Sequence, residues 1–166
     1  MKNKLPIIII LAVVLVIAVI AIVLLLPQKD FRDDMTSADL VNIGAKSFST
    51  EGGTYENDED KLLDFTVEET PLLLDYKIIK ANNSKNINEI GVFHVKDGKV
   101  NDFKECVDEY VLNLQASYRD MNYLPEETEK INCATVKVFG NYIVYSFLGE
   151  NDTDAFYTAI ENALIK

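Results

Sequence analysis

The chain has 166 residues, 48% of them hydrophobic, with 27 acidic against 16 basic residues and a formal net charge of −11. From Pro27 onward the balance is 14 basic to 27 acidic, a net of −13, which repels phosphate backbones and anionic headgroups and so argues against nucleic-acid binding and against a domain lying flat on a membrane. Only Cys106 and Cys133 are present, without CxxC or His/Cys spacing, so neither a disulfide scaffold nor a structural metal site is expected; the pair reads as one bridge or as two small buried thiols.

Met1 to Lys4 carries Lys2 and Lys4 and is followed by an unbroken apolar run, Leu5 to Leu26. That length covers a hydrocarbon core of roughly 30 Å as a helix. It exceeds a cleavable signal's apolar core and has no small-x-small site behind it, so residues 1–4 are expected to be a cytoplasmic n-region and residues 5–26 an uncleaved single-pass signal anchor. Lys2 and Lys4 on one side are balanced by Lys29 and Arg32 on the other, and the terminal amine favours the N-terminus inside. The run contains neither an intramembrane polar residue nor GxxxG, so nothing in it points to transport or helix pairing.

Residues 27–35 read as a polar linker, and 36–166 as one extracytoplasmic domain. Thr36 or Ser37 would cap a helix through Phe48 with Leu40, Val41, Gly44 and Phe48 on one side. Glu51 to Asp60 is an acidic, Gly-containing loop that lacks the ordered ligand series of a calcium loop. Leu72 to Ala81 and Glu89 to Lys96 read as strands of a hairpin closed by a turn over Asn82 to Asn88. Val100, Phe103, Val107, Tyr110, Val111, Leu114, Tyr118 and Met121 recur at three and four residues, which predicts a helix of about 20 residues ended by Leu124-Pro125. Thr135 to Phe139 and Tyr142 to Phe147 flank Gly140-Asn141, the signature of a tight hairpin. Asn151 to Asp154 would cap a last helix whose Phe156, Ala159, Ile160, Ala163 and Leu164 share a face. The predicted order, helix-strand-strand-helix-strand-strand-helix, implies an α+β two-layer sandwich behind the N-terminal transmembrane helix: an antiparallel sheet of two hairpins with helices on one face.

The segment from Leu73 onward resembles domain of unknown function 4358, a family of small, mainly Gram-positive lipoproteins and membrane-anchored proteins. The residues that carry the resemblance are Ile90 to Val100, the helix through Tyr110, Leu114 and Tyr118, then Tyr123-Leu124-Pro125-Glu126 and Val138 to Tyr145. The resemblance implies an extracytoplasmic location and brings no activity. This chain departs from the lipoprotein-like pattern, because no cysteine lies near the apolar run and lipid attachment is therefore not expected.

Chemistry-bearing candidates are few. His94 is the only histidine, and alternation puts it on the face opposite Phe93 and Val95, half-exposed or as a satisfied partner of a helix layer; no Ser or Cys nucleophile is spaced to join it as a general base. Asp64, Glu68, Glu69 and Asp75 would be the carboxylates of a cell-envelope hydrolase, although no spacing sets two of them at a working distance and the chain has no Trp to stack on a sugar. Tyr110, Tyr118, Tyr123, Tyr142, Tyr145 and Tyr157 would line a binding groove or, on the plainer reading, the core. Asn82-Asn83-Ser84 and Asn151-Asp152-Thr153 match a glycosylation sequon, as an Asn-rich chain does by chance. No catalytic, cofactor or metal residue is assigned. The expectation is a non-enzymatic binding module or accessory subunit of an envelope or transport complex, with the carboxylate hydrolase as the alternative.

Overall fold

A computed structural model describes residues 14–15, 29–48, 55–57, 70–82, 85–120 and 127–166. No helix among them is long and apolar enough to cross a membrane. The expected span 5–26 lies outside the described residues except for Val14 and Leu15, which are helical.

The elements in chain order are α1 (Ser37–Gly44), β1 (Tyr55–Asn57), a 3-10 turn (Thr70–Leu72), β2 (Leu73–Ala81), β3 (Glu89–Val95), α2 (Val100–Asp120), α3 (Thr128–Cys133), β4 (Thr135–Phe139), β5 (Tyr142–Phe147) and α4 (Glu150–Leu164). The fold is α+β. Four long strands and the three-residue β1 form one antiparallel sheet in the order β1-β2-β3-β5-β4. Both expected hairpins are present. They join through β3 and β5, with Gly91 opposite Tyr145 and Phe93 opposite Ile143. At the β4–β5 turn Gly140 has φ +60°, a backbone state that glycine adopts without the cost of a Cβ clash.

The expectation of helices on one face is corrected. Ile90, Val92, Tyr142 and Val144 pack with Leu40 and Val41 of α1 and Phe156, Tyr157, Ile160 and Leu164 of α4. The alternate residues Phe93, Val95, Ile143, Tyr145 and Phe147 pack instead with Phe103, Val107, Tyr110 and Val111 of α2. The sheet is thus sandwiched between helical layers. The physical reason lies in the two central strands, whose residues are buried at every position. A strand apolar on both alternating sets needs cover on both sides, a pattern more familiar from parallel sheets.

Smaller differences have local causes. The first helix stops at Gly44 rather than reaching Phe48, and its carbonyl there accepts the Ser47 hydroxyl and amide. Asn151 to Asp154 does not cap the last helix, which begins at Glu150 behind Gly149, a residue without a capping side chain. The Glu129 carboxylate from α3 accepts the Glu150 N–H at 3.1 Å instead. Helix α3 and the Tyr55–Asn57 strand, the latter inside the expected acidic loop, were too short to show a period. Cys106 and Cys133 form no disulfide, and the Cys106 thiol donates to the Asp102 carbonyl at 3.5 Å.

Candidate functional site

Strand alternation turns His94 toward the α1/α4 face. There its neighbour on β5 is Tyr142, directly across the ladder. The two rings stack with centroids 4.3 Å apart and 22° between planes. On the other side Asp75 of β2 faces His94 in register, next to a shift in the β2–β3 ladder. Asp75 Oδ2 stands 4.0 Å from His94 Nδ1, and Asp75 Oδ1 accepts the Ser37 N–H at 3.0 Å, at the start of α1. The other ring nitrogen, Nε2, lies 2.8 Å from Asp33 Oδ1. Asn141 in the hairpin turn donates to the second oxygen of Asp33 at 3.2 Å.

Tyr142 extends the cluster. Its hydroxyl donates to the Met35 carbonyl at 2.7 Å and accepts the Met35 N–H at 3.1 Å. Burial pushes this phenol up from its ordinary range, the Met35 contact opposes the shift, and the nearby Asp33, Asp75 and Asp34 carboxylates add to it, so it remains a protonated donor. At the rim, Arg32 holds Asp34 through two hydrogen bonds of 2.6 and 2.7 Å. That bond lifts the guanidinium's affinity for its proton and lowers that of the carboxyl, so both stay charged. Arg32, Asp33, Asp34, Ile165 and Lys166 line an open depression beside the cluster.

The arrangement fastens chain segments together and is poorly suited to moving protons. His94 is 7% exposed, and each ring nitrogen faces a carboxylate, whereas a general base needs a lone pair aimed at a substrate. The carboxylates sit on opposite sides of the imidazole and do not converge on one point. Among the described residues no group of three or more His, Cys, Asp or Glu side chains is arranged to hold a metal ion.

A second polar cluster lies on the α2 face. Glu89, 4% exposed, accepts from the Tyr110 and Tyr145 hydroxyls on one oxygen, at 2.5 and 2.7 Å. Burial first, then the Glu89 charge, drives the Tyr145 phenol well above its ordinary range. Near the β2–β3 turn, Glu127 accepts the Ile87 N–H and pairs with Lys130 at 2.6 Å.

Of the sequence candidates, His94 and Asp75 are brought together. Asp64, Glu68, Glu69 and Tyr123 lie outside the described residues. Tyr110, Tyr142, Tyr145 and Tyr157 are core residues, with the Tyr157 hydroxyl spent on the Thr135 carbonyl at 2.6 Å, and Tyr118 packs against the same core. No signal in the sequence marks Asp33, because its partner is 61 positions away.

A family model described as "Domain of unknown function (DUF4358)" matches residues 69–148. The match runs from the 3-10 turn to the end of β5 and leaves out residues 29–35, α1 and α4. No curated protein and no solved structure matches the chain.

Proposed function

With residues 69–148 identified as a DUF4358 domain, we propose that the chain is a membrane-anchored, extracytoplasmic binding module, an accessory subunit of a cell-envelope or transport complex. The observation that carries the non-enzymatic part is the state of His94. It is buried, stacked on Tyr142 and faced by a carboxylate at each ring nitrogen, so the chain's one histidine serves as a structural fastener. Asp75, a candidate carboxylate of the hydrolase alternative, is likewise occupied by the Ser37 N–H. The anchor rests on the uninterrupted run from Leu5 to Leu26. Val14 and Leu15 within it are helical and leave 59% and 68% of their surface uncovered, which suits aliphatic side chains whose solvent is lipid.

The test is crosslinking of the full-length protein in the membranes of its host, with mass spectrometry of what is retained. One abundant envelope or membrane protein is expected, and it should be recovered equally with Asp75→Asn. Recovery of the chain alone from a membrane fraction would remove the accessory-subunit reading. Recovery from the soluble fraction would remove the anchor.

A further inference from the structure

Residues 29–35, which the sequence presents as a polar connector, are built into the domain. The Arg32 N–H donates to the Leu164 carbonyl at 2.8 Å, and the Lys166 N–H donates back to the Asp30 carbonyl at 3.1 Å. Phe31 forms an antiparallel bridge with Ile165 and lays its ring edge-on to Phe139, 5.8 Å between centroids. Asp33 is held by His94 and Asn141, and Met35 by the Tyr142 hydroxyl at both its N–H and its carbonyl. Lys29 reaches Glu161 and Lys166 reaches Asp30. Every attachment point lies at one end of the molecule: the C-terminus of α4, the Gly140-Asn141 turn, the start of β5 and the end of β3. The other end of α4, at Glu150, is about 22 Å away along a helix of 15 residues.

We propose that this strap is an orienting clasp, which fixes the domain on its anchor with the Gly140-Asn141 turn toward the bilayer and the Glu150 end of α4 away from it. The proposal rests on the membrane reading of residues 5–26. From Leu26 to Lys29 the chain reaches at most about 10 Å, so a clasped Lys29 keeps the attachment end near the headgroups. Nine unattached residues would instead give a flexible tether of about 16 Å and leave the domain free to turn.

The test uses the full chain in vesicles of phosphatidylcholine and phosphatidylglycerol, with Cys106 and Cys133 replaced by alanine. A fluorophore is attached through Asp97→Cys, beside the strap end, or through Asn151→Cys at the far end. Nitroxide-headgroup lipids should quench the label at 97 several-fold more than the label at 151, and Asp33→Asn or His94→Gln should bring the two toward equality. Hydrogen exchange gives an independent readout. The Arg32 and Met35 amides should exchange slowly, and at least tenfold faster in the Asp33→Asn chain, which retains the core. Equal quenching in wild-type protein that floats with the vesicles overturns the orientation and leaves the anchor standing. Failure to float overturns the membrane reading and the orientation with it. Exchange of Arg32 and Met35 at free-chain rates overturns the clasp itself, whether or not the protein floats.

Discussion

At Gly91 a missing side chain decides how the α2 face of β3 is filled. Its partner across the ladder is Tyr145, and a Cβ added to Gly91 would run into the Tyr145 ring. The vacancy lets that ring lie over β3 and carry its hydroxyl to Glu89, two residues back along the same face. A strand glycine at a close approach of this kind is not exchangeable. Gly91→Ala should lower stability by about 1–3 kcal/mol, the range for forcing extra volume into a packed core, seen as a lower urea midpoint at unchanged slope. An unchanged midpoint would mean that the ring moves aside freely. His94 shows how far residue-level reading reaches. Alternation placed it on the face opposite Phe93 and Val95, where it does lie, as a satisfied partner. The identity of that partner, Asp33, depends on a chain return that no local pattern encodes.

Helix ends separate local from tertiary control at the scale of elements. Helix α1 starts by its own means: Thr36 Oγ1 accepts the Asp39 N–H at 3.1 Å and donates to the Asp39 carboxylate at 2.8 Å. Thr36→Ala should therefore cost about 1 kcal/mol, read from urea unfolding, while Thr36→Ser should restore most of it. The N-terminus of α4 is satisfied from outside by Glu129, and Asn151 to Asp154 lie inside the helix rather than at its cap. Thr153, inside that stretch, is buried and donates its hydroxyl to the Leu148 carbonyl at 3.2 Å. The four longer strands were legible almost to the residue because their β-branched and aromatic runs are bounded by turn residues, whereas the three-residue β1 was not. Helix α3, six residues long, gives too little sequence for any period to register.

For the whole molecule, the tyrosines on both faces of the sheet give stability a common dependence on alkaline pH. Burial raises the phenols of Tyr142, Tyr145 and Tyr157 above the ordinary value of about 10. The folded chain therefore holds these protons more tightly than the unfolded chain, and the two states bind them equally only below that value. Their contribution should be fully present below about pH 10 and fall as pH rises through the folded-state values, because the unfolded chain ionises first. Thermal unfolding followed from pH 8 to pH 11.5 should show a plateau and then a decline, less steep in Tyr145→Phe. A decline of identical slope in that variant would show that Tyr145 does not take part.

The sequence by itself determined the α+β class, the two hairpins, the long amphipathic helix and the family resemblance of the central segment. The hairpins and the helix rest on periodicity or turn chemistry within about twenty residues, and such signals survive in a chain read one window at a time; the resemblance rests on matched patches between Ile90 and Tyr145. Only the tertiary structure decided that both faces of the sheet are covered, that Glu129 caps α4, and that Asp33, Asp75 and Tyr142 surround His94. These depend on which apolar stripe meets which face and on polar partners tens of residues apart. A buried polar group must find a partner somewhere, but the sequence does not say where.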